Sequence, residues 1–233
     1  MTRRLLLLSN STVYGRRYLE HAADDIRRFF ATVGRVLFVP YALDDRDAYA
    51  KKARETFEEL GLALDSIHSA PDPAAAVAEA EGMFIGGGNT FRLLDALQRL
   101  NLVDAIRHRV TSGMPYMGSS AGSVIAAPTL RTTNDMPIVQ PQSFDALGLI
   151  SFQINGHYLD PDPASTHMGE TRETRIREFH EMNAAPVAGL REGTWLRVDG
   201  PRVELCGSGA ARIFVRGSPP YEVPAGSTLE LEV

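Results

Sequence analysis

The sequence of 233 residues contains a single cysteine, Cys206, and no long hydrophobic run. A lone cysteine can form neither an intramolecular disulfide nor a cysteine metal cluster, which favours a reducing compartment, so we expect a cytoplasmic protein. No apolar run approaches the roughly 20 residues that cross a bilayer, and no membrane segment is predicted. The four leucines at 5–8 end at Ser9, too early for a signal peptide, and are predicted to form a buried strand.

An excess of positive charge is also missing. Together, 24 Lys and Arg residues face 29 Asp and Glu residues, which gives a net charge of -5, and the basic residues form no stripe along the chain. We therefore expect no nucleic-acid partner. The hydrophobic content of 44% is high enough at this length to bury a full core, which excludes disordered and fibrous proteins.

Short apolar runs alternate with helical patterns through the first half of the chain. This alternation predicts an α/β fold in which a mostly parallel sheet is flanked by helices. After residue 128 short strands dominate, so we expect a β-rich C-terminal part with one charged helix at 170–182. No repeat or linker divides the chain, and we predict one domain over residues 1–233. The predicted early strands are 5–8, 35–40, 62–68, 83–85 and 114–118, and the first predicted helix is 14–33.

The sharpest local motif is the sequence Gly118-Ser119-Ser120-Ala121-Gly122. It lies between an apolar strand and a small-residue helix predicted over 120–127, as in the G-x-S-x-G nucleophile elbow. A tight turn of this kind lifts the central serine above the sheet, and the flanking glycines remove side chains that would collide. The motif therefore indicates nucleophilic catalysis by Ser120.

A second glycine turn, Gly86-Gly87-Gly88-Asn89-Thr90, also follows an apolar run and precedes a helix. Its backbone amides are suited to stabilise an oxyanion. The Gly-Lys-Ser/Thr ending of a nucleotide-binding P-loop is missing, so a nucleotide site is not favoured. Because the carboxyl ends of strands in an open sheet surround one crevice, we expect this turn and the serine motif to face the same volume.

A serine nucleophile needs a general base and a carboxylate that orients it. Among the six histidines, His157 follows the apolar segment 152–154 through an Asn-Gly turn and is favoured as the base. His167, in a stretch rich in Asp, Pro and Ser, is the competing histidine. Either Glu192 or Asp135 could supply the carboxylate, and local reasoning leaves both open.

A likeness to known proteins extends over nearly the whole chain in seven sequence blocks. The blocks are residues 5–12, 86–91, 119–122, 131–138, 144–147, 153–155 and 169–173. Together they resemble the peptidase E family of bacterial α-aspartyl dipeptidases. The resemblance implies a serine peptidase with an α/β sheet similar to that of class I glutamine amidotransferases. It also implies cleavage of dipeptides with an N-terminal aspartate (Asp-Xaa), without a metal or an organic cofactor.

Carried onto matching positions, the resemblance implies a catalytic triad of Ser120, His157 and Glu192. It also implies an oxyanion hole formed by the amides of Gly88 and Ala121. The sequence departs from the family's usual pattern at two places. Gly156 stands where proline commonly precedes the histidine, and Ser119 stands where tryptophan often precedes the nucleophile. Ser119 is therefore an alternative nucleophile, although only Ser120 is central in the glycine motif.

Recognition of an aspartate side chain requires a cation or several hydrogen-bond donors. Arg172 is our candidate for pairing with the substrate carboxylate, because guanidinium binds carboxylate through two parallel hydrogen bonds. Asn89 and Thr90 are candidate donors, and Asp135 is the candidate for binding the free amine.

The alternatives to a dipeptidase are a cyanophycinase-like hydrolase of aspartyl polymer and an inactive binder of a small acidic ligand. The segment 160–169 is a candidate lid over the site. The sequence is compatible with either a monomer or a homodimer.

Overall fold

A computed structural model describes residues 3–164, 166 and 168–231. The larger of its two β-sheets, the main sheet, has five parallel strands at its centre and along one side. These strands lie in the order β1-β5-β4-β2-β3. Nearly every strand residue is buried, as expected for a sheet that helices cover on both faces. The bounds are β1 (Arg4–Leu8), β2 (Val36–Val39), β3 (Leu64–Ser66), β4 (Gly82–Ile85) and β5 (Tyr116–Ser119).

The helices follow the strands as the alternating pattern predicts, and polar side chains cap their first turns. Asp45, Asp72 and Asn89 each accept a hydrogen bond from a backbone N–H of the first helical turn. The helices are α1 (Ala23–Phe29), α2 (Arg46–Glu59), α3 (Pro73–Glu79), α4 (Thr90–Arg99), α5 (Val103–Thr111), α6 (Ala121–Val124) and α7 (Arg172–Met182).

Two helices are shorter than the sequence pattern suggests. The expected helix over 14–33 begins only with a 3-10 turn at Glu20–Ala22, which continues into α1. Leu19 adopts a left-handed conformation with φ of 60°, which a right-handed helix does not accommodate. The helix expected over 120–127 is limited to the four residues of α6.

The C-terminal part is rich in strands, as predicted, but it contributes to two separate sheets. Three strands extend the main sheet antiparallel beyond β1, namely β8 (Thr194–Asp199), β9 (Arg202–Gly207) and β12 (Thr228–Leu229). A second sheet has the order β11-β10-β7-β6. Its strands are β6 (Gln153–Asn155), β7 (Val187–Leu190), β10 (Ala210–Phe214) and β11 (Tyr221–Pro224).

The two sheets share one continuous hydrophobic core. Leu5 and Ile85 of the main sheet belong to the same buried cluster as Ile154, Ala188 and Ile213 of the second sheet. This packing places the carboxyl end of β5 opposite the carboxyl ends of β6 and β7. None of the helices among the described residues has the length and apolar character needed to cross a membrane.

Candidate active site

The turn between β5 and α6 holds Ser120 in a conformation that few serines adopt. Its backbone has φ of 51° and ψ of -112°, and its N–H donates to the carbonyl of Leu8, 3.0 Å away. A Cβ atom at Gly118 would lie 2.5 Å from the backbone of Gly122, and one at Gly122 would lie 2.1 Å from the carbonyl oxygen of Ile85. Both glycines are therefore required for the close approach of strand and helix that fixes this strained turn.

Ser119, the alternative nucleophile, faces the protein interior. Its exposed fraction is 0%, and its Oγ has no hydrogen-bond partner among the described residues. Ser120 is partly exposed and lines a cavity. Of the two serines, only Ser120 is accessible to an external substrate.

His157 lies between Ser120 and Glu192 and is within hydrogen-bond distance of both. The Nε2 atom of His157 is 3.1 Å from Ser120 Oγ, and its Nδ1 atom is 2.8 Å from Glu192 Oε1. His157 and Glu192 follow the neighbouring parallel strands β6 and β7, whereas Ser120 follows β5 of the main sheet. The three side chains thus meet across the gap between the two sheets, in the geometry of a serine, base and carboxylate triad.

Two polar residues at the end of β1 hold the backbone beneath this arrangement. Ser9 Oγ accepts from the N–H of His157 at 3.0 Å and donates to the carbonyl of Leu190 at 2.8 Å. The Oδ1 atom of Asn10 accepts from the N–H of Gly193, next to Glu192, at 2.9 Å. Sequence reasoning assigned no role to Ser9 or Asn10. The sequence feature that could have identified them is their position directly after the buried strand β1.

Of the two residues expected to supply oxyanion-stabilising amides, Ala121 directly follows Ser120 and Gly88 lines the larger cavity together with Ser120. Gly88 has φ of +137°, and a Cβ atom there would lie 2.5 Å from the carbonyl oxygen of Ala42. Among the hydrogen bonds formed by the described residues, none uses the N–H of Gly88 or the N–H of Ala121. Both donors are therefore available to a negatively charged oxygen at the serine.

Two cavities meet at Ser120, His157 and Asp135, which line both of them. The larger cavity measures about 810 Å³ and the smaller about 330 Å³. The larger is also lined by residues that include Ser11, Tyr18, Asp44, Lys52, Gly87 and Gly88. The smaller is also lined by Thr90, Ala121, Val124, Thr133, Asn134, Gly156 and Arg172.

Asp135 lies in the cavity wall and does not contact the histidine Nδ1 atom. Its Oδ2 atom accepts from the N–H of Thr90 at 2.7 Å, from Thr90 Oγ1 at 2.5 Å and from Thr133 Oγ1 at 3.1 Å. Because Glu192 occupies the position beside His157 Nδ1, the geometry favours Glu192 over Asp135 as the orienting carboxylate. Asp135 is left facing the shared part of the two cavities.

Arg172, the first residue of α7, lines the smaller cavity together with Asp135. Within the described residues its guanidinium forms no ion pair. Burial lowers the pKa of Arg172, as does the nearby charge of Arg175, whereas Asp135 acts in the opposite direction. A partly buried and unpaired cation beside the serine is suited to bind a carboxylate.

Neither Asn89 nor His167, the two remaining candidates, is placed by the structure in the lining of either cavity. The side chain of Asn89 caps α4 by accepting from Arg92 N–H at 3.0 Å, and it donates to the Met136 carbonyl at 2.9 Å. Its polar atoms are therefore engaged within the protein, outside the lining of either cavity. His167 lies outside the described residues. The lid expected over 160–169 includes two positions outside the described residues and stays a prediction.

The family of the chain follows from a sequence match. The family model for peptidase family S51 matches residues 5–206. The chain belongs to peptidase family S51. This finding confirms the family and the serine-peptidase class predicted from the sequence, and the parallel sheet with a β-rich C-terminal part confirms the predicted fold class.

Individual relatives agree with the S51 assignment. The chain is 56% identical to "Peptidase E" of Streptomyces coelicolor over 97% of this chain and 93% of that protein. It is 48% identical to "Probable alpha-aspartyl dipeptidase" of Drosophila melanogaster, covering 91% and 90% of the two chains. The crystal structure of a peptidase from an acI-B1 Actinobacterium shares the fold, with a TM-score of 0.74, 18% identity and coverage of 98% and 97%.

Proposed function

We propose that this S51 peptidase hydrolyses dipeptides with an N-terminal aspartate, and that Ser120, His157 and Glu192 perform the reaction. The observation that carries the proposal is the continuous chain of contacts from Ser120 Oγ through the His157 ring to Glu192, at 3.1 and 2.8 Å. The names of the Streptomyces and Drosophila relatives support the substrate class.

The reaction proceeds by acyl transfer. Nε2 of His157 accepts the Ser120 proton while Oγ attacks the peptide carbonyl, and the N–H groups of Gly88 and Ala121 stabilise the oxyanion. His157 then protonates the leaving amine, which departs as the free amino acid. Water, deprotonated by His157, attacks the aspartyl ester and releases aspartate. Glu192 accepts from Nδ1–H throughout, which keeps Nε2 available as the base.

Specificity for aspartate is assigned to the smaller cavity. Arg172 would pair with the substrate side-chain carboxylate, and Asp135 would bind the free amine. Thr90 and Thr133 donate to Asp135 and so orient its carboxylate, and we assign Thr90 this positioning role. Asn89 would act indirectly, by fixing the start of α4. These assignments place the acyl part of the substrate in the smaller cavity and the leaving residue in the larger one.

Hydrolysis of Asp-Leu, Leu-Asp, Ala-Leu and Asp-Leu-Gly by purified protein tests the proposal, with Ser120→Ala and a chelator as controls. We expect cleavage of Asp-Leu alone, loss of activity in the variant and no effect of the chelator. Cleavage of aspartyl polymer instead would favour the polymer hydrolase. Absence of all hydrolysis, together with binding of aspartate, would favour the inactive binder.

We also propose that residues 1–233 form one peptidase domain, because both sheets share a core and both contribute to the triad. The cytoplasmic location and the absence of a nucleic-acid partner remain predictions of the sequence.

A further inference from the structure

The larger cavity has a single lysine or arginine in its described lining. Lys52, on α2, lines this cavity together with Gly88, Ser120 and His157. The smaller cavity likewise has a single arginine or lysine in its described lining, Arg172. The sequence contains only two lysines, and the second is the neighbouring Lys51.

The exposed Lys52 side chain contacts an aromatic ring and has no neutralising carboxylate within the described residues. It lies 4.6 Å from the centre of the Tyr18 ring, in a cation-π contact. Tyr18 in turn donates to the Tyr49 hydroxyl at 3.4 Å, which accepts from the N–H of Gly87 at 2.8 Å. No salt bridge among the described residues includes Lys52, whereas Lys51 is 3.9 Å from Glu55.

Two of the three acidic residues that line this cavity, Asp44 and Asp45, have partners other than Lys52. Asp45 Oδ1 caps α2 by accepting from the N–H of Ala48 at 2.9 Å. Asp44 is 3.9 Å from Arg92. Neither carboxylate forms an ion pair with Lys52 within the described residues, and Lys52 is the lysine or arginine of this lining that can attract an anion.

We propose that Lys52 binds the terminal carboxylate of the leaving residue, an inference that rests on the dipeptidase function proposed above. An Asp-Xaa dipeptide carries three charges, namely an ammonium, a side-chain carboxylate and a terminal carboxylate. Asp135, shared by both cavities, matches the ammonium, and Arg172 matches the side chain. Lys52 matches the remaining carboxylate, in the cavity that receives the leaving residue.

This assignment gives a physical reason for selection of dipeptides over longer peptides. In a tripeptide the carboxylate is about 3.5 Å farther from the scissile bond, and an uncharged amide takes its former place. Lys52 would then contact a neutral group, so binding and turnover of longer substrates would lose the ionic contribution. Lys52 acts here as a specificity residue and takes no part in proton transfer.

Steady-state kinetics on Asp-Leu and on its C-terminal amide, Asp-Leu-NH2, test the assignment. Wild-type protein should prefer the free carboxylate. Lys52→Met should lower kcat/KM for Asp-Leu by about 10-fold, the size expected for a hydrogen bond to a charged group, and leave the amide almost unchanged. Lys52→Arg should restore most of the preference, and Lys51→Met should behave like wild type.

The amide is an internal control for folding, because a misfolded variant would lose activity on both substrates. Equal losses on the two substrates by a variant with the circular dichroism spectrum of the wild type, or no loss in Lys52→Met, would overturn the role of Lys52 while the dipeptidase function stands. If wild-type protein cleaved neither substrate, the proposed function and this inference would both fail.

Discussion

At the scale of single residues, the distinction between Ser119 and Ser120 depends on burial. The two serines are adjacent and chemically identical, yet one faces the core and the other lies next to a histidine. The difference arises because side chains alternate between the faces of a strand up to its end, and the strained turn at Ser120 directs its side chain above the sheet.

Replacement of each serine by alanine should therefore affect catalysis very differently. Ser120→Ala removes the nucleophile and should lower kcat/KM on Asp-Leu by roughly 10³-fold or more. Ser119→Ala removes a buried hydroxyl that has no hydrogen-bond partner in the described part of the chain, and it should leave activity close to wild type. Parallel kinetics of both variants, with circular dichroism to confirm folding, make the comparison. Activity that survives Ser120→Ala but not Ser119→Ala would contradict the assignment.

Arg172 provides a second prediction at this scale. Arg172→Ala should lower kcat/KM on Asp-Leu by about 10-fold to 100-fold, because a carboxylate would lose a charge-assisted partner. Any slow turnover of Ala-Leu should be unaffected, since that substrate has no such carboxylate. Arg175→Ala, on the same helix, is the matched control, because its partner is Glu170 at 3.5 Å. Equal losses on the two peptides would argue against a specificity role.

At the scale of the elements, Arg191 connects the segments on which the triad depends. It follows β7 and precedes Glu192, and its guanidinium forms two hydrogen bonds to Asp160 at 2.7 and 2.8 Å. It also bonds Glu222 of β11 and lies 5.5 Å from the ring of Tyr158, the neighbour of His157. One side chain thereby joins the ends of β6 and β7 to the far strand of the second sheet.

The same contacts make stability depend on pH. Hydrogen bonds from Arg191 lower the pKa of Asp160 and the pKa of Glu222. A lowered folded-state pKa stabilises the protein above the unfolded value of about 4, and this contribution is lost as the pH falls through the folded-state pKa.

Arg191→Met should therefore lower the free energy of unfolding at pH 7 by about 1 kcal/mol, a modest value because both carboxylates are partly exposed. At pH 3 the loss should be smaller. Urea denaturation at the two pH values measures the difference, with the exposed Arg17→Met as control. An equal loss at both values would show that the charges are not responsible.

At the scale of the whole molecule, the site exists only because two sheets pack against each other. Ser9 is the clearest link between them, since it follows β1 of the main sheet and bonds residues at the ends of β6 and β7. Its hydroxyl donates one hydrogen bond to a backbone carbonyl and accepts one from a backbone N–H, so a single side chain binds both segments.

Ser9→Ala should leave the N–H of His157 without its partner. The expected cost is about 1–3 kcal/mol in the free energy of unfolding, with a fall in kcat larger than any change in KM, because the histidine loses its fixed position. Ser112→Ala, at an exposed position after α5, is the control for a serine-to-alanine change. Wild-type kcat in Ser9→Ala would remove Ser9 from the positioning network.

Local sequence patterns were sufficient to predict the succession of strands and helices along the first half of the chain and the two glycine turns that follow β4 and β5. They were sufficient because periodicity and steric demands act locally: apolar runs predict buried strands, and only glycine permits the close approaches at Gly118 and Gly122. The family likeness extended this reading to His157 and Glu192, which local patterns alone left in competition with His167 and Asp135.

Which side chains contact one another in the site could be seen only from the three-dimensional packing. Ser120 and His157 are 37 residues apart and follow strands of different sheets, and His157 and Glu192 are separated by another 35. Such contacts depend on how the sheets pack, which no local pattern encodes. The same reason applies to the hydrogen-bonded amide of Asn89, to the hydrogen-bonded carboxylate of Asp135 and to Lys52, which forms no salt bridge with any residue that the structure describes. The role of each side chain depends on what long-range packing places beside it.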